Sequence, residues 1–127
     1  MNFLVGIDLG TSSTKSILVD LDGNILAKAQ EAYPIAVPTL GRAEQSPERW
    51  WEAVTKTLNA ILNISNIDPD DIRGIGLSGQ MHGLVLIDEE GELIRPAIVW
   101  SDQRSKAEVN VIKEIMHDGK KTDKVLK

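Results

Sequence analysis

Residues 3–20 read FLVGIDLGTSSTKSILVD, and no other run constrains the fold of this chain as closely. Phe3–Asp8 and Thr14–Val19 are short and rich in Val, Ile and Leu, and a Gly- and Ser-containing turn separates them, which is the pattern of two paired strands. Asp22-Gly23 then supplies a two-residue reversal suited to a type I′ hairpin turn, and Ile25–Tyr33 continues as a third strand. The chain opens as a three-stranded meander.

Pro34, Pro38 and Gly41 break any periodicity, so residues 34–45 read as a surface loop. A helix follows: the Ser46 hydroxyl caps it, Pro47 suits the first helical position because its missing N–H is not needed there, and Glu48 suits the positive end. Trp51, Val54, Leu58, Ile61 and Leu62 recur at helical spacing and predict one buried stripe, with Trp51 in the core and not on a ligand. Ile72–Ser78 reads as a strand in which Ile75 and Leu77 alternate with Gly74, Gly76 and Ser78. Leu84–Asp88 and Leu93–Ile94 flank Glu90-Gly91 and predict a further hairpin, Ile98–Trp100 a last strand, and the segment from Asp102 a charged helix with Ala107, Val111 and Ile115 on one face. The order βββαβ(ββ)α makes an α/β domain over residues 1–117, a mixed sheet with helices on it. Residues 118–127, with Gly119 and several lysines, have little to bury and read as a disordered tail.

Composition narrows the function classes. A chain of 127 residues is the size of one domain, and its apolar fraction of 42% and charged fraction of 26% are those of a globular protein. The net charge of −5 argues against a broad surface for nucleic acid or anionic membrane, while leaving room for local anion sites. Cysteine is absent, which excludes disulfides, thiolate metal sites and a thiol nucleophile, and no basic flank precedes the apolar residues 1–6. These features predict a cytoplasmic protein.

The turn in IDLGTSSTK carries chemistry. Gly10 permits a positive φ, and the amides of Gly10, Thr11, Ser12 and Ser13 could then converge on an oxyanion of a phosphate. Lys15 adds positive charge, and Asp8 offers the hard oxygens that Mg²⁺ prefers. The same residue types also build plain turns, so composition alone leaves both readings open. It is not a Walker loop, because GxxxxGK[ST] is absent and the turn leads into a strand.

The segment resembles the first phosphate motif of the actin-like ATPase superfamily, whose domains are ribonuclease H-like. Two further stretches sharpen this: GRAEQSPERWW at 41–51, and GIGLSGQMHGLVLID at 74–88 followed by RPAIVWSDQR at 95–104. Together they resemble the amino-terminal part of the FGGY family of carbohydrate kinases, most closely its members that phosphorylate D-xylulose to D-xylulose 5-phosphate with ATP and Mg²⁺. The resemblance spans residues 3–105 and fades after Arg104. It implies that Asp8 sits by the metal and the γ-phosphate, and that Gly10, Thr11, Ser12, Ser13 and Lys15 line the phosphate site. It further implies that Met81 and His82 contact the sugar, with Gln80 and Asp102 near it. Gln80, His82 and Asp102 offer the directed hydrogen bonds that distinguish sugar hydroxyls. Trp100, ending a strand beside Asp102, fits either packing or a wall of the sugar site.

By the same resemblance, the catalytic base and the adenosine site lie downstream in a longer protein with a second domain, and that longer protein is a candidate homodimer. No aspartate here is assigned as base, so the chain alone is expected not to phosphorylate sugar. YPIAVP and the AEQ segment also resemble gluconate kinases, whereas Gln80 and Gly83 in SGQMHG favour the xylulose type. A non-catalytic binding or regulatory domain is the alternative of a different class.

Overall fold

The computed structural model of the chain describes the backbone of residues 1–125 and the side chains of residues 1–117. Strands β1 (Phe3–Leu9), β2 (Ser13–Asp20) and β3 (Ile25–Ala32) form the meander. Then come a two-residue strand β4 (Glu44–Gln45), helix α1 (Pro47–Ser65), β5 (Ile72–Gly79), a second two-residue strand β6 (Ala97–Ile98) and helix α2 (Lys106–Val125). The main sheet has the order β3-β2-β1-β5, antiparallel except that β5 runs parallel to β1. The sheet is therefore mixed, as the element order predicts.

Alternation in β1 decides which side of this sheet is the core. Phe3, Val5 and Ile7 are buried against α1 together with Leu18, Ala27 and Ile61, whereas Leu4 and Asp8 point to the other face. Leu18 and Ile61 are fully buried, each contributing on the order of 1.5–3 kcal/mol. Ser46 caps α1 with Pro47 in its first turn, as expected, and Asn66 ends it in the left-handed conformation at φ 52°. The helix is rotated from the expected stripe: Trp51 is 72% exposed, and Ala53, Thr57 and Ile61 face the sheet. The cause is polar as well as steric, because the Thr57 and Ser16 hydroxyls form a buried hydrogen bond at 2.8 Å between α1 and β2.

Other expectations are corrected in detail. A type I′ turn needs positive φ at both central residues, yet in the β2–β3 turn only Gly23 has one, at 86°. The Gly23 amide donates to the Asp20 carbonyl, and the Asp20 carboxylate accepts from the amides of Asp22 and Asn24. The loop 34–45 contains β4, which pairs with β6, and Ala36 and Leu84 extend that pairing as single bridges. The expected hairpin around Gly91 is present in short form, as a bridge between Ile87 and Leu93 with hydrogen bonds from the amides of Asp88 and Ile94 to the carbonyls of Glu92 and Leu86. Helix α2 is helical to Val125, so it includes most of the segment read as a tail, and residues 126–127 lie outside the described residues. Among the described residues, no helix is long and apolar enough to cross a membrane.

Candidate functional site

Because β1 and β5 are parallel neighbours, their carboxyl ends lie side by side, and ligands in sheets with parallel strands bind outside those ends. The turn 10–13 follows β1 and the loop 80–83 follows β5. They are joined at once by the amide of Gln80, which donates to the Leu9 carbonyl at 2.9 Å.

In the turn, the amide of Gly10 donates to the Ser13 carbonyl at 3.0 Å, so it is not free to meet a phosphate. Gly10 does not have the positive φ that the sequence suggested. Glycine is needed there for space, since a Cβ would lie 3.0 Å from the Ser13 carbonyl oxygen. The Ser13 hydroxyl is turned toward β3, where it accepts from Gln30 Nε2 at 3.0 Å. The amides of Thr11 and Ser12 have no acceptor among the described residues and remain available to an anion.

Tyr33 and Gln45, which the sequence did not mark as site residues, hold this turn together with Trp100. Tyr33 donates its hydroxyl to the Gly10 carbonyl, and burial, with help from Asp8, raises its pKa. Gln45 Nε2 donates to the Thr11 carbonyl at 2.6 Å, and Trp100 Nε1 donates to Thr11 Oγ1 at 3.0 Å. Trp100 thus turns its polar edge to the turn. Trp50 also has a polar task, donating its indole N–H to Gln45 Oε1 at 3.1 Å.

Asp8 and Lys15 are cross-strand partners on the sheet face opposite α1, where with Gly6, Ile17 and Gly76 they line an open groove of about 470 Å³. Asp8 forms no ion pair among the described residues. No group of three or more His, Cys, Asp or Glu side chains suited to a metal occurs among the described residues. A lone exposed carboxylate beside free amides fits Mg²⁺ brought in with a polyphosphate, since Mg²⁺ keeps waters and phosphate oxygens as its other ligands.

In the loop after β5, Met81 is 73% exposed and His82 adopts the left-handed conformation at φ 60°, unusual for a residue with a side chain. Gln80 is half-buried and donates Nε2 to Gln45 Oε1 at 3.0 Å. Asp102 is engaged within the chain itself. Its carboxylate accepts from the Ala43 amide at 2.6 Å, from the Arg104 amide at 2.9 Å, and from the Arg104 guanidinium at 2.9 and 2.7 Å. Arg104 also pairs with Glu44 at 2.7 Å. The guanidinium holds the Asp102 carboxyl well below the usual carboxylate range, against the effect of burial, and lowers that of Glu44 in the same way. With both oxygens engaged, Asp102 binds the segment 99–104 to residues 43–44.

The structure thus brings Thr11, Ser12 and Gln80 to one place, sets Asp8 and Lys15 on the adjoining sheet face, and leaves Met81 and His82 exposed at the rim. Comparison with known proteins gives this arrangement a class. The fold matches a ligand-bound xylulose kinase from Lactobacillus acidophilus with a TM-score of 0.83 at 31% identity, over 90% of this chain and 23% of that one. A gluconate kinase from the same organism matches with a TM-score of 0.83 at 31% identity, over 89% of this chain and 22% of that one. This is the actin-like ATPase fold as sugar kinases carry it. Residues 3–126 match the N-terminal domain of the FGGY family of carbohydrate kinases, and the chain belongs to that family. The xylulose kinase of Bacillus subtilis (strain 168) is 44% identical over 105 residues, which is 83% of this chain and 21% of that protein. The chain therefore spans about a fifth of the length of this relative.

Proposed function

We propose that the chain is the part of a xylulose kinase that receives the terminal phosphates of ATP and the sugar, in a protein that transfers the γ-phosphoryl group to a hydroxyl of D-xylulose and yields D-xylulose 5-phosphate. The observation that carries this is the junction at the carboxyl ends of β1 and β5, where the free amides of Thr11 and Ser12 lie beside the loop of Gln80. In this reading the two amides and Lys15 bind phosphate oxygens, while Gln80, Met81 and His82 contact the sugar. Asp8 would hold Mg²⁺, which supplies charge neutralisation on the phosphates when bound. Asp102 acts on the sugar side through the segment it fastens, which carries Trp100. The choice of xylulose over gluconate rests on the identity to the B. subtilis xylulose kinase and on the SGQMHG segment, since the two fold matches are equal in TM-score.

Phosphoryl transfer also needs a positioned base and groups around the nucleotide, which this reading assigns to a further domain. Calorimetry of the chain with MgADP, D-xylulose and gluconate, joined to a turnover assay with MgATP and D-xylulose, tests the proposal. The expected result is binding of MgADP and of D-xylulose in preference to gluconate, with no turnover. Binding of neither ligand overturns the site and leaves a structural role, preference for gluconate overturns the sugar, and magnesium-dependent formation of D-xylulose 5-phosphate overturns the expected inactivity.

A further inference from the structure

Gln45 is only 3% exposed, and its amide makes hydrogen bonds whose direction is fixed by its partners. The Thr11 carbonyl can only accept and the Trp50 indole N–H can only donate, so Nε2 must face Thr11 and Oε1 must face Trp50. Gln45 Oε1 is also the partner of Gln80, at 3.0 Å. Since that oxygen accepts, Gln80 has to present its NH₂ group. Its own carbonyl oxygen is then turned the other way, and Gln80 Oε1 is buried with no hydrogen-bond partner among the described residues. A buried acceptor without a donor is costly and needs an explanation.

We propose that Gln45 is a positioning residue that sets the polarity of the sugar site: it reads the orientation of the phosphate turn at Thr11 and fixes Gln80 with its carbonyl free for a ligand. The inference rests on the sugar-kinase reading and goes beyond it in one respect. The ligand atom that meets Gln80 must carry a hydrogen, as a sugar hydroxyl does and as a carboxylate or keto oxygen does not. Gln45 also ties this acceptor to the turn that holds the phosphates, so the hydroxyl and the phosphates are placed relative to each other through one amide.

The test compares the wild-type chain with Gln45→Leu and with Gln45→Glu, which keeps the shape of the side chain but has no donor for Thr11. Without ligand, NMR should show the Gln80 side-chain amide protons exchanging slowly in the wild type and fast in Gln45→Leu. With ligand, the wild type should bind D-xylulose at least about tenfold more tightly than one of its mono-deoxy analogues; Gln45→Leu should lose that preference, and Gln45→Glu, whose carboxylate still accepts from Gln80, should keep it. A structural role alone would lower stability without erasing the preference. Should the Gln45 variants fail to fold, Gln80→Leu, in a loop, is expected to lose the same preference, and an unchanged preference overturns the proposal. Gln80 protons exchanging in the wild type as fast as those of the exposed Gln103 overturn it as well. Full preference for D-xylulose retained in Gln45→Leu overturns this proposal and leaves the kinase reading intact, whereas a wild type that binds neither D-xylulose nor MgADP overturns the kinase reading together with the ligand half of this one.

Discussion

Gly10 is where a single missing side chain matters most. Its amide closes the turn onto the Ser13 carbonyl, and a Cβ would press on that same oxygen at 3.0 Å, tighter than nine in ten Cβ contacts. In Gly10→Ala the Ser13 carbonyl has to give way by a few tenths of an ångström, and the turn is expected to loosen at a cost of about 1–3 kcal/mol. The loosening shifts Thr11, whose carbonyl and hydroxyl are held by Gln45 and Trp100, and so disturbs the two free amides. Thermal melts are expected to show the lower stability, and calorimetry a weaker affinity for MgADP than in the wild type. An alanine variant with the same melting point and the same affinity would show that the turn does not need the closed form. Asp8, Thr11, Ser12 and Lys15 were legible as site candidates because hydroxyls, glycine and charge crowd one strand junction, and Gln80 through the resemblance of the segment around it. Tyr33 and Gln45 were not, because a tyrosine ending a strand and a glutamine in a loop carry no local sign of what they will touch across the fold, and Trp100 was placed near the site without its bond to Thr11.

At the scale of elements, the short strands β4 and β6 are held together by charge. Glu44 pairs with Arg95 and Arg104, both distant in sequence, and Asp102 pairs with Arg104 two residues on. Both carboxyls have folded pKa values lowered by Arg104, so the unfolded chain takes up protons first as the pH falls. Their contribution to stability is complete above the ordinary carboxylate range near about pH 4 and is lost as the pH drops through the folded values. Urea unfolding followed from about pH 7 to pH 2 should show this loss, and Arg104→Met should flatten it. An identical acid profile in the variant would mean that Arg104 holds neither acid. The strands of the main sheet and helix α1 were legible from alternation and capping, with limits off by one residue or two. The rotation of α1 was not, since burial of Thr57 in place of Trp51 depends on Ser16, which becomes its neighbour only once β2 is laid beneath the helix. The pairing of β4 with β6 was equally hidden, because two-residue strands are too short to show a period.

For the molecule as a whole, α1 packs on β2 and β3, while β5 joins the core through Ile72 at its start and is largely exposed beyond it. Val5 is buried, yet its register partner Ile75 is 59% exposed, and Leu77 beyond it is 80% exposed. Val109, Ile112 and Met116 are likewise exposed along α2, and the outer edge of β5 has no partner strand among the described residues. Apolar surface of this kind beside an open strand edge invites association. The purified chain is expected to enhance the fluorescence of an apolar-surface dye and to self-associate at high concentration in sedimentation, and Leu77→Glu to reduce both. A monomer that leaves the dye dark would contradict this. The compact part of the molecule, by contrast, is drawn from contiguous sequence: the meander and the helix that seals it are complete by Ser65. Such a unit needs little loop closure, and domains begin to fold from their amino ends during synthesis. The core of this domain is thus free to form at the ribosome while β5 and the loop of Gln80 are still being made, so the site matures by addition to a scaffold that already exists.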